Sequence, residues 1–205
     1  MTPTPIRVLI AEDQALVRGA LAALLALESD IDIVAQALDG LDAASKVRQF
    51  HPDIVLADVE MPGMTGIELA QHLAVEGLST KVVIVSTFAR PGYLARARAA
   101  GALGYLPKSA PAGELATAIR TVHAGGQAIA PQLAQAAREA GADPLTSRER
   151  DVLRLAEEGL SNKEIADVLL LSAGTVRNYL ADAAGKLGAA NRTEAGRLAR
   201  GMGWL

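Results

Sequence analysis

The chain has 205 residues, half of them hydrophobic but only 3% aromatic, enough for one large domain or two small helix-rich ones. A formal charge of −3 gives no global positive field, so any contact with nucleic acid has to come from a local patch. The absence of cysteine excludes disulfides and thiolate metal sites, and neither a signal peptide nor an apolar run near the ~20 residues of a membrane span is visible, so a cytoplasmic chain is expected.

In chain order, Ile6 to Ala11 is an apolar, β-rich run that ends in Glu12-Asp13. Ala15 to Leu27, rich in Ala and Leu, reads as a helix, Ile31 to Ala35 as a strand, and Leu41 to Phe50 as a helix. Ile54 to Ala57 is a buried strand that stops at Asp58, and the Met61-Pro62-Gly63 that follows is a hard turn. A helix from about Gly66 to Val75, a strand from Val82 to Ser86 and a helix from Pro91 to Gly101 come next. Gly104-Tyr105-Leu106 is a brief fifth strand before Pro107-Lys108, and Ala112 to His123 is the last helix of the series. Near-continuous apolar strands alternating with helices predict an α/β fold with a doubly wound, five-stranded parallel sheet over residues 1–124. Residues 125–143 read as a linker, helical in part from Gln132 to Ala140, and 144–205 as a small all-α domain.

In such a sheet ligands bind beyond the carboxyl ends of the strands. Asp58 alone is as well explained by a turn or a helix cap. The ordered set is more specific: Glu12 and Asp13 after strand one, Asp58 at strand three, Ser86 and Thr87 at strand four, Lys108 after strand five. Carboxylates gathered on one rim repel one another unless a cation joins them, and hard oxygen ligands suit Mg²⁺. A carboxylate beside Mg²⁺ can accept a phosphoryl group, with Lys108 supplying positive charge and Ser86 a hydroxyl for the phosphoryl oxygens.

These motifs, with Gly104-Tyr105-Leu106-Pro107-Lys108, resemble the flavodoxin-like receiver domain of bacterial two-component response regulators. The resemblance implies that a sensor histidine kinase phosphorylates Asp58. It also implies that Mg²⁺ is held by Asp13, Asp58 and the backbone carbonyl of Glu60, with Glu12 acting through a water. Ser86 takes the place of the family's switch hydroxyl, with Thr87 the adjacent alternative, and Tyr105 that of its moving aromatic. An aspartyl-phosphate hydrolase would carry a second Asp two residues after the first; that position is Glu60, so the chain reads as a switch and not an enzyme.

In the second half, Thr146 with Glu149 and Ser161 with Glu164 are capping-box pairs, and Ser172 caps a third helix carrying Thr175, Val176, Arg177, Asn178 and Tyr179. Two short helices joined by a tight turn, the second polar and basic near its start, predict a helix-turn-helix. Leu145–Leu153, Gly159–Ala166, Gly174–Tyr179 and Lys186-Leu187-Gly188 resemble the LuxR-type output domain, and the two halves together resemble the NarL/FixJ class. From Pro144 onward nine Lys and Arg face eight Asp and Glu, a surplus of one, so a single copy should hold double-stranded DNA weakly. Arg177 and Lys186 are the candidates for groove and phosphate contact, Asn162 and Lys163 for backbone positioning, and Thr175 lies beside them. Val176 either touches a thymine methyl or packs. Tyr179 stands where the family more often carries histidine.

The helix Ala15 to Leu27 carries more apolar surface than one sheet face needs, which with Ala112 to His123 predicts a homodimer formed on phosphorylation. The run Thr87 to Tyr93 with Gly174 to Tyr179 further resembles DesR-type regulators, implying control of a membrane-lipid desaturase-type operon. The alternative is a DNA-binding regulator that needs no phosphorylation.

Overall fold

The computed structural model describes residues 4–87 and 90–205; Phe88 and Ala89 of the Thr87–Tyr93 run, and the first three residues of the amino terminus, lie outside the described residues. The chain divides into two compact units, one carrying a sheet with its flanking helices and the other purely helical.

The first unit alternates strand and helix: β1 (Ile6–Ala11), α1 (Ala15–Leu25), β2 (Ile31–Ala37), α2 (Gly40–Phe50), β3 (Ile54–Asp58) and α3 (Gly66–Val75). It continues with β4 (Lys81–Ser86), α4 (Pro91–Ala99), β5 (Gly104–Pro107), α5 (Ala112–His123) and β6 (Ala128–Ile129). All pairings are parallel, in the order β2-β1-β3-β4-β5-β6. Helices cover both faces of the central strands, so β3 is buried at every residue and its sequence shows no alternation. Val8, Ile10, Ile54, Leu56, Val83 and Val85 form one core with Leu115, Ile119 and Val122 of α5. Arg120 of α5 ties this face to the start of β2 through Glu28 at 2.6 Å and Asp30 at 2.7 Å.

The doubly wound parallel sheet is as expected, but it has a sixth strand. Ala128 and Ile129 pair with Gly104 and Tyr105 inside the stretch expected to be linker. Two residues are too few to display a period, and Gly125, at φ +92°, and Gly126 set the turn that brings them back to the edge. The helix expected after them forms as α6 (Pro131–Ala140).

The second unit contains α7 (Ser147–Glu157), α8 (Asn162–Leu169), α9 (Ala173–Leu187) and α10 (Arg192–Met202). Both expected capping boxes form, Thr146 with Glu149 and Ser161 with Glu164, each hydroxyl accepting from the backbone N–H three residues on. Leu153, Ile165, Val176, Leu180, Ala195 and Trp204 meet in its core.

Candidate phosphoacceptor pocket and nucleic-acid interface

Strand register builds the pocket. Ala11 pairs with Ala57, so the next residues along, Glu12 and Asp58, emerge side by side. Asp58 pairs with Val85, which puts Ser86 one step beyond, and Ser86 pairs with Pro107, which delivers Lys108 to the same rim. The Lys108 backbone N–H donates to the Ser86 carbonyl at 2.8 Å and fixes that exit. Below the rim, α3 starts hard against β3: a Cβ on Gly66 would stand 2.1 Å from the carbonyl oxygen of Asp58, so only glycine allows this approach.

Glu12, Asp58 and Ser86 are buried, Tyr105 is buried on β5, and Asp13 and Glu60 are exposed. The Lys108 ammonium forms ion pairs with Glu12 Oε2 at 2.6 Å and with Asp58 Oδ2 at 2.8 Å. Burial pushes the Asp58 carboxyl above the ordinary aspartate range, against the pull of Lys108 and of the Val59 and Glu60 backbone N–H groups. Burial likewise raises Glu12, with the Asp58 charge adding to it and Lys108 opposing. Burial alone would lower Lys108, but its two carboxylate partners outweigh that and hold the ammonium charged. An oxygen of each of Glu12, Asp13 and Asp58 lies within 4.8 Å of the other two. Three hard oxygen donors at this spacing, open to water on the Asp13 side, fit a small, partly hydrated divalent cation such as Mg²⁺. Thr87 is exposed one residue beyond the β4 end, whereas Ser86 is buried within it.

In the second unit α8 and α9 form the helix-turn-helix. Leu170 closes α8 in the left-handed region at φ +55°, and the Ser172 hydroxyl accepts from the Thr175 backbone N–H at 3.0 Å to start α9. Arg177 is exposed on α9 and Lys163 on the first turn of α8, while Thr175 is half-buried. An open cleft of about 480 Å³ is lined by Asn162, Arg177, Asn191 and Arg192, and Arg192 donates to the Asn162 side-chain oxygen at 3.3 Å.

The structure decides between the two readings of Val176 and gives Lys186 a partner within the domain. Val176 is 0% exposed in the helical core, so it packs and cannot reach a thymine methyl. Tyr179 is half-buried against the same core. Lys186 is held by Glu149, donating to Oε1 at 2.8 Å and Oε2 at 2.7 Å, which gives it a structural partner 37 residues away where a phosphate contact was expected. Asn178, beside Arg177, and Arg192, at the start of α10, are also exposed, and Arg192 was not singled out from the sequence. On α9 the signal was available: with Val176, Leu180 and Ala183 inward, helical spacing turns Arg177, Asn178 and Ala181 outward.

The buried Glu149 yields a pH prediction. Burial would raise its carboxyl, but Lys186 and the Thr146 backbone and hydroxyl groups outweigh this and hold it below 4.5. The folded value is thus the lower one, and the stabilisation is complete above 4.5 and lost as pH falls through the lowered value. Gln keeps the cap but not the charge, so Glu149→Gln should cost about 1–2 kcal/mol at pH 7, discounted because Lys186 is partly solvated. Trp204, the single tryptophan, lies in this core and reports the unit's urea midpoint by fluorescence. The gap between wild type and variant should close on acidification.

Comparison with known proteins agrees with this geometry. Residues 8–120 match the response regulator receiver domain, and residues 143–199 match the bacterial regulatory proteins of the luxR family. The uncharacterised transcriptional regulatory protein YvfU of Bacillus subtilis is 45% identical over 200 residues, covering 98% of this chain and 100% of that protein. The transcriptional regulatory protein DesR of the same organism is also 45% identical, covering 98% and 99%. Among solved structures, the response regulator ChrA of a heme-sensing two-component system is 35% identical at a TM-score of 0.60, covering 98% of this chain and 99% of that one. The chain belongs to the two-component response regulators of the NarL/FixJ class, with a receiver domain followed by a LuxR-type helix-turn-helix DNA-binding domain, and serves transcription regulation.

Proposed function

We propose that Asp58 is the phosphoacceptor of a sensor histidine kinase, and that its phosphorylation drives two copies together on DNA. The observation that carries this is the salt-bridged cluster of Asp58, Glu12 and Lys108 at the sheet's carboxyl edge. An Asp58 carboxylate oxygen attacks the phosphorus of the kinase's phosphohistidine; the new P–O bond forms as the P–N bond breaks. Asp13, Asp58 and the Glu60 carbonyl would hold Mg²⁺, with Glu12 acting through a water, and the ion supplies charge neutralisation to the transferring oxygens. Lys108 moves its ammonium from the Asp58 carboxylate to a phosphoryl oxygen. The Ser86 hydroxyl turns towards the same group, and Tyr105, which pairs on β5 with Ile84 two positions before Ser86, follows it; Thr87 is the alternative hydroxyl. The full acidic set with Lys108 argues against a regulator that needs no phosphate. The role is that of a switch and not of an enzyme, in a cytoplasmic chain whose described residues include no helix able to cross a membrane.

The dimer face is α1 with α5. Leu16 and, just beyond α1, Leu27 are 86% and 82% exposed, an apolar surface that burial against a second copy would stabilise. We divide the chain as a receiver over 1–124, extended at its sheet edge by β6, a linker over the rest of 125–143 and an output domain over 144–205. On the output domain, Arg177, Thr175, Asn162 and Lys163 meet an operator half-site, with Asn178 and Arg192 added to that face. A membrane-lipid desaturase-type operon is the first regulon to test; equal identity to YvfU and DesR does not by itself select one. Light scattering of the full chain with a small phosphodonor and Mg²⁺ should show the mass double. A monomer that stays a monomer and binds DNA equally well in both states would overturn the reading.

A further inference from the structure

We propose that Arg18 is a positioning residue for the divalent-cation site, holding the turn that presents Glu12 and Asp13. The inference rests on reading the Glu12–Asp13–Asp58 cluster as that site. Arg18 lies in the first turns of α1, and a long helical side chain points back towards its helix's N-terminus. Its Nη1 accordingly reaches the turn before the helix, donating to the Glu12 carbonyl at 2.6 Å and lying 3.5 Å from the Asp13 carbonyl.

The turn has few other ties of its own. Gln14 stands at the N-cap of α1 without a side-chain capping bond. Its backbone N–H instead donates to Glu12 Oε1 at 3.2 Å, and the Glu12 N–H donates to the Ala37 carbonyl at 3.1 Å. Glu12 is thereby gripped at its N–H, its carboxylate and its carbonyl, the last by Arg18. Asp13 is exposed, so the backbone of this turn sets the direction in which its carboxylate points. A charge-assisted bond from a half-buried guanidinium is a firm tie for such a turn. Arg18 also faces the start of α2: Lys46 chiefly holds the Asp42 carboxyl below its ordinary range, and the Arg18 charge adds a smaller pull.

Charge and geometry predict opposite signs, which makes the role decidable. A guanidinium beside a cation site repels the cation, so removing it should tighten binding if charge dominates. If positioning dominates, removing it should weaken binding. Residues that orient metal ligands from outside the ligand set typically change affinity by about 10–100-fold. The probe is Mn²⁺, titrated by electron paramagnetic resonance on the unphosphorylated full chain. Arg18→Met, which keeps the apolar stem, should raise the Mn²⁺ dissociation constant about 10-fold. Arg18→Lys, which keeps the charge but cannot span both carbonyls, should fall between. In phosphorylation by a small phosphodonor the Mg²⁺ half-saturation should rise while the rate at saturating Mg²⁺ holds, a split that general loss of structure would not produce. Unchanged or tighter Mn²⁺ binding in Arg18→Met overturns the proposal. Where Arg18→Met fails to fold, wild-type affinity in Arg18→Lys overturns it instead. A wild type that binds no Mn²⁺ overturns the cation-site reading itself, a result distinct from wild type that binds and a variant that matches it.

Discussion

Asp58→Ala is expected to abolish phosphorylation of the chain by kinase or small phosphodonor, leaving no retarded band on a Phos-tag gel. The expectation follows from the supply of nucleophiles on the rim. Asp58 is the carboxylate at the end of the central strand β3, and Glu12 is fully buried under the Lys108 ammonium and the Gln14 N–H. Asp13 is exposed on a neighbouring turn, in the position proposed to hold the cation. Asp58→Asn, which keeps the shape and loses the nucleophilic oxygen pair, should fail equally, so a cavity left by alanine cannot account for the loss. A retarded band of wild-type intensity in either variant would move the phosphoacceptor elsewhere.

Arg177→Ala carries the second large effect, on the output domain. Arg177 is exposed on the outward face of α9, one step from the buried Val176 that anchors the helix to its core. A side chain so placed can enter the major groove, where loss of a bidentate arginine–base contact costs about 1–3 kcal/mol, a fall in affinity of about 5–150-fold. The salt dependence separates two forms of the contact. A base contact relaxes sequence preference with little change of salt slope, whereas a phosphate contact lowers the slope by about one unit. Lys186→Met should behave differently: it leaves Glu149 buried without its cation, so the urea midpoint followed by Trp204 should fall. Wild-type DNA affinity in Arg177→Ala would remove that face of α9 from the interface.

Much of the fold was legible because its physics is local or periodic. A strand covered by helices on both faces must be apolar at every position, so Ile54 to Ala57 announces itself, and the first charge after it marks the edge of the sheet. Capping boxes need only three residues of separation, which is why Thr146–Glu149 and Ser161–Glu164 could be read directly. The register that joins Ala11 to Ala57 and Ser86 to Pro107 follows once strand order is known, and it brings Glu12, Asp58 and Lys108 into contact. What escaped is either too short or too distant in sequence. Ala128–Ile129 pairs through two residues at a sheet edge. Lys186 looked like a basic residue free for phosphate because Glu149, its partner, lies a whole helix-turn-helix away. Arg18 belongs to no motif, and its bond to the Glu12 carbonyl depends on a turn no periodicity describes.

The central claim, that phosphate on Asp58 is what the DNA-binding domain reports, is tested most directly by one titration. Promoter DNA recovered by chromatin pull-down of the protein is bound by the full chain with and without phosphodonor and Mg²⁺, beside Asp58→Ala under both conditions. The account predicts tighter, dimer-stoichiometric binding by the phosphorylated wild type, and weak, identical binding by Asp58→Ala in both. Equal affinity of phosphorylated and unphosphorylated wild type would contradict it.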